Sequence, residues 1–502
     1  MPLWQTGGVK EACGVFGVYA PGATVSQLIF DGLFALQHRG QESAGMAVSD
    51  GETITVVKDM GLVTSVFDER TISSLSGHLG VGHTRYSTRG KSTWQNAQPV
   101  FRSAGHSGFA LGHNGNLTNT DKLAAEAGML PGFVTSDSDL IAELVARALE
   151  VQDARSPGLL DAVRGGEGAG EPCLEGHEIA APPNDELLEA LRTVLPTLEG
   201  AFSLGVVDAD HLFGIRDPNG FRPLCLGRLG EEGWVLASET PALDVVGAEF
   251  VRELDPGEMV VIDEFGPRSI FPFPPERIDP KLCLFEFVYF ARPDSVLLSH
   301  EVHAARVRMG QLLARESAPD ADLVIGVPDS GIPAAQGFAQ ASGIPYGQGL
   351  VKNRYIGRTF IAPTEAARVD AVRRKLNPLR ESIETKRLVV VDDSIVRGTT
   401  TRQMVKMLRD CGASEVHLRV SSPPFRWPCF YGIDTPSRQE LLAAKMAVSE
   451  IAEHLGADSI AYLSLESLLS ATGAPVEGFC SACLTGHYPT SVPLSDPPAD
   501  LR

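Results

Sequence analysis

The chain has 502 residues, long enough for two or three domains that each bury a sizeable core. Its 63 acidic residues outnumber 43 basic ones, for a formal net charge of −20 and an isoelectric point near 5.1, which argues against nucleic acid or an anionic membrane as a main partner. No uninterrupted apolar run is long enough to span a bilayer, while anionic substrates stay open to local basic clusters.

The start, Met1–Ala12, lacks the basic and apolar regions of a secretory signal, so the expected location is the cytoplasm. Cys13 then heads Cys13-Gly-Val-Phe-Gly-Val-Tyr19, which reads as a strand. A free thiol there is ordinarily buried packing. Four further runs follow: Leu36-Gln-His-Arg-Gly-Gln-Glu-Ser-Ala-Gly45, His83-Thr-Arg-Tyr-Ser-Thr88, His113-Asn-Gly-Asn-Leu117 and Thr135-Ser-Asp-Ser-Asp139. Singly, each could be a turn or a cap. In this order and spacing they resemble the class II, N-terminal-nucleophile (Ntn) glutamine amidotransferases, over roughly the first half of the chain.

Hydrolysing an amide needs a nucleophile, a proton acceptor and a stabilised oxyanion. The resemblance implies that Met1–Ala12 is a propeptide, removed so that the α-amine of Cys13 becomes the proton acceptor; such an amine titrates near roughly pH 8. It further implies that Asn114 and the Gly115 N–H form the oxyanion hole. Arg85 is expected to pair with the glutamine α-carboxylate, a contact suited to the guanidinium fork. Asp137 is expected to hold the α-ammonium, and Asp139 to start a helix.

Ser156–Asp185 is rich in Gly and Pro and reads as a flexible surface insertion, with helical patterning resuming at Glu186–Leu198. Arg216–Leu224 carries turn chemistry at Pro-Asn-Gly. With Ala237-Ser-Glu-Thr240 it is expected to support the glutamine pocket structurally.

From about Lys281 apolar strands alternate with amphipathic helices, as in a doubly wound sheet. Asp322–Val327 is a predicted strand and Pro328-Asp-Ser-Gly-Ile332 the loop after it, on the side where open α/β sheets bind ligands. The same grammar recurs more sharply at Arg387-Leu-Val-Val-Val-Asp392-Asp393-Ser394-Ile395-Val396-Arg397-Gly398-Thr399-Thr400. A buried parallel strand ends in two carboxylates, then a small-residue loop, then a helical pattern over Thr401–Leu408. Backbone N–H groups at a helix N-terminus can surround a phosphate. The carboxylates can meet ribose hydroxyls directly or through hydrated Mg²⁺. Read blandly, this is a solvated turn with capping carboxylates.

The whole run resembles the 5-phosphoribosyl-1-diphosphate (PRPP) motif of type I phosphoribosyltransferases. That resemblance places Ser330 near the diphosphate–Mg²⁺ end, with Asp392 and Asp393 on metal and ribose, and wraps Ser394–Thr400 around the 5-phosphate. Val351–Phe360 resembles the mobile loop that closes over PRPP, bringing Lys352, Arg354 and Arg358. Arg373, Arg374 and Lys375 could equally be a solvated basic face.

An Ntn glutaminase followed by a PRPP domain resembles the amidophosphoribosyltransferase family. The implied fold is an αββα sandwich at 13–265, with the 156–185 insertion, then a doubly wound α/β domain at 280–475 and a tail at 476–502. The implied reaction passes ammonia from glutamine internally to C1 of PRPP, releasing pyrophosphate, as the first step of purine synthesis. A homotetramer inhibited by purine nucleotides is also implied, with no motif that locates an allosteric site.

Eight cysteines remain to be placed. Cys480-Ser-Ala-Cys483 alone could be redox-active, metal-binding or incidental, and with Cys283 and Cys429 it could bind zinc. The three local contexts resemble the iron–sulfur subgroup of the family, which implies a [4Fe–4S] cluster, structural or oxygen-sensing, since the reaction moves no electrons. Cys173, Cys225 and Cys411 are left as ordinary thiols. Two other readings stand beside the enzyme: an amidotransferase with another ammonia acceptor, and a PRPP-sensing regulator. The intact Asp392-Asp393 run speaks against the first. The retention of Cys13, Arg85, Asn114, Gly115 and Asp137 speaks against the second.

Overall fold

Two antiparallel sheets lie face to face in the first half of the chain. One has seven strands, with Gly14–Tyr19 paired between Leu79–Arg85 and Gly233–Ala237; the other has six, with Phe109–Leu117 paired to Gly200–Val207. In this computed structural model the described residues are 13–86, 92–104, 108–130, 132–153, 186–353, 376–433, 435 and 437–493. The expected propeptide, the 156–185 insertion and Arg354, Arg358, Arg373, Arg374 and Lys375 lie outside them, as does Cys173.

The strand Gly14–Tyr19 is buried on both faces, and the period-two alternation divides its side chains. Val15 and Tyr19 enter the core between the sheets, with Val81, Ala110, Val207 and Val260. Phe16 and Val18 point the other way, under the helix Val25–Ala35. A Cβ on Gly32 would lie 2.4 Å from the Phe16 ring, so glycine there lets the helix settle on the sheet. Full burial of Phe16 contributes about 2–3 kcal/mol. On the far side, the helices Asp137–Asp153 and Glu186–Val194 cover the six-stranded sheet. The layers are therefore α, β, β, α. The predicted helix at Glu186–Leu198 tightens to a 3₁₀ turn at Leu195–Thr197, where Pro196 withdraws its N–H.

The second half is built on a four-stranded parallel sheet in the order Leu323–Gly326, Arg387–Asp392, Glu415–Val420, Ser459–Tyr462. Val389 and Val391 face the helices Val302–Ser317 and Gly331–Ser342, whereas Leu388 and Val390 face Thr399–Asp410 and Val448–Leu455. A parallel bridge from Val324 to Tyr346 lies on the other flank of the first strand. Strand order therefore reverses between Leu323–Gly326 and Arg387–Asp392. That is the switch point at which such sheets open a ligand crevice.

Buried charges join the two halves. Glu286, fully buried, accepts from Arg39 Nη2 at 2.6 Å and from Arg222 Nη1 at 3.1 Å. Arg39 also bonds Glu239, which His38 approaches at 2.6 Å. Burial favours a neutral Glu239, but Arg39 and His38 outweigh it and hold the carboxyl well below its ordinary range. Within Ala237–Thr240, Glu239 thus belongs to the network that joins the halves. The tail returns to the body by a short parallel pairing of Phe479–Cys480 with Leu282–Cys283. Among the described residues no helix is long and apolar enough to cross a membrane.

Candidate active sites

Cys13 immediately precedes its strand and lines a cleft with Arg85, Tyr86, Gln98, His113, Gly115, Ser136, Asp137 and Ser138. Its Sγ accepts from the Tyr86 N–H at 3.4 Å and lies 3.3 Å from the Tyr86 carbonyl. Burial pushes the thiol up to about 11, against the Tyr86 backbone and Arg85. A thiol held this way needs a base at hand before it can attack.

Asn114 and Gly115 sit on the strand Phe109–Leu117, opposite Ser203 and Phe202. The Asn114 side chain is fully buried, and neither its oxygen nor its nitrogen has a hydrogen-bond partner among the described residues. An unsatisfied buried amide costs about 1–3 kcal/mol. Gly115 has φ +149°, and a Cβ on it would lie 2.0 Å from the Ala201 carbonyl oxygen. Only glycine fits there.

Arg85 ends the strand Leu79–Arg85, buried, with Nη1 3.9 Å from Glu42. Asp137 opens the helix Asp137–Asp153 and accepts from the N–H groups of Leu117 at 3.2 Å and Ser138 at 2.9 Å. Asp139 accepts from the Thr135 N–H and pairs with Arg102, which makes it the helix-start residue expected of it. Gln98, His113, Ser136 and Ser138 enter the cleft although sequence reasoning gave them no role. His113, Ser136 and Ser138 were within reach, as each neighbours a motif residue; Gln98 carried no local signal.

Arg216–Leu224 forms a knot beneath this site. Asp217 accepts from the N–H groups of Phe202, Asn219 and Phe221, and the Ser203 hydroxyl donates to the Arg222 carbonyl.

At the switch point, Asp393 accepts from Ser394 Oγ at 2.5 Å and from Ser330 Oγ across the crevice. Burial pushes both carboxyls of the pair up, and for Asp392 the charge of Asp393 adds to it. Two crowded carboxyls with raised affinity for a proton are equally poised for a cation or hydroxyl donors. Gly398, at φ +78°, leads into the helix Thr399–Asp410, one turn longer than the expected 401–408. Ile395 and Val396 are almost fully buried in the core, so only their backbone can face a phosphate. Arg397 pairs with Glu440 at 3.1 Å. Lys352 pairs with Asp329 at 2.5 Å, beside a cleft of about 220 Å³ lined by Gly326, Tyr346 and Lys352.

Among the described residues no three or more His, Cys, Asp or Glu side chains are arranged to hold a metal ion. Asp392, Asp393 and Ser330 nevertheless offer the hard oxygens that Mg²⁺ takes, and Mg²⁺ commonly binds one or two carboxylates with water and substrate phosphates completing the shell. The four cysteines offer soft sulfur. Cys283 and Cys480 are register partners, and the N–H groups of Arg426 and Trp427 donate to the Cys483 carbonyl, bringing the tail against the Cys429 segment. All four thiols are free; burial pushes each up, Cys283 to about 12, and for Cys283, Cys480 and Cys483 the other cysteines' charges add to it. Four thiols are the soft donor set that suits a thiolate-ligated centre, whether a single zinc or an iron–sulfur cluster.

Residues 310–422 match the phosphoribosyl transferase domain model. Amidophosphoribosyltransferase of Mycobacterium tuberculosis (strain ATCC 25618 / H37Rv) is 51% identical over 498 residues, covering 96% of this chain and 87% of that protein. The Bacillus subtilis (strain 168) protein of the same name is 42% identical over 501 residues, covering 98% of this chain and 96% of its own. The solved structure of B. subtilis glutamine PRPP amidotransferase complexed with ADP and GMP superposes with a TM-score of 0.82 at 42% identity, covering 97% of this chain and 99% of that one.

Proposed function

The chain belongs to the amidophosphoribosyltransferase family, and from that membership we infer the reaction it performs. It transfers the amide nitrogen of glutamine to PRPP, giving 5-phosphoribosylamine, pyrophosphate and glutamate, the first step of purine biosynthesis.

The roles of individual residues follow from their chemistry. With Met1–Ala12 removed, the Cys13 α-amine takes the thiol proton and Sγ attacks the glutamine carboxamide. The oxyanion that forms meets Asn114 Nδ2 and the Gly115 N–H, while Arg85 and Asp137 hold the α-carboxylate and α-ammonium. Ammonia departs, and water releases glutamate from the thioester. The observation that carries this reading is the buried Asn114 amide, which meets no partner among the described residues and has a strand position beside Gly115.

Ammonia then attacks C1 of PRPP as pyrophosphate leaves. Asp393, fixed by Ser330 and Ser394, orients the sugar together with Asp392, and the backbone of Ser394–Thr400 receives the 5-phosphate. Mg²⁺ bound at Asp392, Asp393 and Ser330 would neutralise charge on the leaving pyrophosphate. Lys352 lies on the same side and supplies a cation to the diphosphate.

Cys283, Cys429, Cys480 and Cys483 would hold a [4Fe–4S] cluster that ties the tail to the body. The functional units run 13–265, 280–475 and 476–502. The enzyme works in the cytoplasm as a homotetramer under purine-nucleotide feedback; the B. subtilis relative was solved with ADP and GMP.

The decisive experiment follows glutamate and pyrophosphate release together in anaerobically purified protein, with and without Mg-PRPP. Both products rising only with both substrates supports the coupled reaction. Glutamate without pyrophosphate, indifferent to PRPP, points to another acceptor, and neither product points to a regulator.

A further inference from the structure

We propose that Gln98 is a positioning residue of the glutaminase site and that Lys58 holds it in place. This role presupposes the assignment of the Cys13 cleft as the glutamine site. Gln98 is 5% exposed and lines that cleft. Its carboxamide makes two bonds across it. Oε1 accepts from the His113 N–H at 2.7 Å, and Nε2 donates to Ser138 Oγ at 2.9 Å. His113 directly precedes Asn114, and Ser138 directly follows Asp137. A contact of 3.1 Å between Ser138 Oγ and His113 Nδ1 closes the triangle. One side chain therefore sets the spacing between the oxyanion end and the α-ammonium end of bound glutamine. Fixed spacing of those two ends is what brings the carboxamide into line with a nucleophile, and small displacements there are costly.

Lys58, on the strand Ile54–Met60, fixes Gln98 from outside the cleft. Its Nζ donates to the Ala97 carbonyl at 2.6 Å and the Pro99 carbonyl at 3.1 Å, the groups on either side of Gln98. The ammonium also lies 5.7 Å from the centre of the Trp94 ring, while Trp94 Nε1 donates to the Lys58 carbonyl at 3.1 Å. A Cβ on Gly45 would stand 2.2 Å from the Gln98 carbonyl oxygen, so glycine there lets the 97–99 segment lie flat on the sheet. Burial, with Arg102 and Arg85 nearby, pushes the ammonium down to about 8, against the pull of Asp139. A surface lysine serving solubility would extend into water instead. Here it clamps a loop.

The test uses full-length, processed enzyme at saturating PRPP, assayed with glutamine and separately with ammonia, in Gln98→Leu, Lys58→Met, Lys58→Arg and Cys13→Ala. Gln98→Leu and Lys58→Met are expected to lower glutamine-dependent kcat/KM roughly 10- to 100-fold, the cost of leaving buried partners unpaired. Both KM for glutamine and kcat should change, with ammonia-dependent activity near wild type, and Lys58→Arg should recover most of the loss. Wild-type glutamine kinetics in Gln98→Leu and Lys58→Met, beside a dead Cys13→Ala, would overturn the positioning role. Parallel loss of ammonia activity would do the same, since both residues would then be supporting the whole fold. Glutamine use surviving in Cys13→Ala would instead remove the glutaminase assignment beneath it.

Discussion

The Asn116 carboxamide donates to the Phe430 carbonyl at 2.8 Å, which ties the strand bearing Asn114 and Gly115 to the segment that follows Cys429. The contact is one of several. Arg222 donates to the Tyr431 carbonyl from Nε at 3.1 Å and Nη2 at 2.9 Å, and the Phe221 and Tyr431 rings stack at 4.2 Å. A Cβ on Gly432 would stand 3.3 Å from Gly115 and 3.0 Å from Arg222 Nη2. The second half of the chain thus forms a wall against the strand that bears the proposed oxyanion hole.

Gly432→Ala is expected to act on that wall. Gly432 has φ +104°, so the substitution strains the backbone and crowds Gly115 together. Stability should fall by about 1–3 kcal/mol in urea unfolding. Glutamine-dependent turnover should fall further than ammonia-dependent turnover. Equal losses would mean that the contact is mere packing.

Cys13→Ala should abolish glutamine use and leave ammonia-dependent synthesis of phosphoribosylamine. Asn114→Ala should lower glutamine-dependent kcat by roughly 100- to 1,000-fold, the range for removing one oxyanion donor. Because the native amide is buried without a bond among the described residues, its removal relieves that cost while opening a small cavity, so the unfolding midpoint should be unchanged or higher. Steady-state kinetics on both nitrogen sources, with thermal melts, separate these effects.

Asp393→Asn should lower both activities by at least about 100-fold, since both reactions end at PRPP. Its effect on stability has the opposite sign. Burial and Asp392 beside it make the paired charges costly, so removing one should leave the melting temperature unchanged or higher. A lost activity with a lower melting temperature would point to a structural role. Chelating Mg²⁺ should stop pyrophosphate release from the wild-type protein.

The residues legible in sequence were those that sit in one run with their partners. Asp392 through Thr400 form a strand end, loop and helix start, and each piece signals the next. Cys13, Arg85, Asn114 and Asp137 are far apart in the chain, but a resemblance carried their order. Gln98 and Lys58 gave no such signal. Their bonds are made to backbone and side chains up to 41 residues away, and a lysine on a strand reads as solvated. Glu286 was hidden for the same reason, as its partners Arg39 and Arg222 come from the other half. Nor could sequence show that Ile395 and Val396 turn their side chains into the core.

Cys480→Ser should lower bound iron and the visible absorbance of anaerobically purified protein, and lower its unfolding midpoint. Cys480 pairs with Cys283 in register, so loss of a bound centre frees the tail that the pairing holds. Zinc in place of iron by elemental analysis would return the site to a tetrahedral thiolate reading. A metal-free wild type with unchanged stability would remove the centre altogether.

Stability should fall as the solution is acidified, and His83 supplies a defined share of that fall. Burial is the main cause that lowers its pKa from 6.5 to about 3, with Arg85 and His113 adding to it and the His113 carbonyl opposing. That carbonyl lies 3.0 Å from Nε2, while Nδ1 has no partner among the described residues, so a second ring proton would find no acceptor there. Between pH 6.5 and 3 the unfolded chain therefore binds a proton that the folded chain refuses. Each pH unit in that window costs about 1.4 kcal/mol, or about 2 kcal/mol between pH 7 and 5. His83→Gln keeps a donor for the carbonyl and removes the titration. Its urea-unfolding free energy should thus fall by about 2 kcal/mol less than wild type over that range. Identical slopes would show that the folded protein accepts the proton, and that the strand beneath Asn114 tolerates a charge.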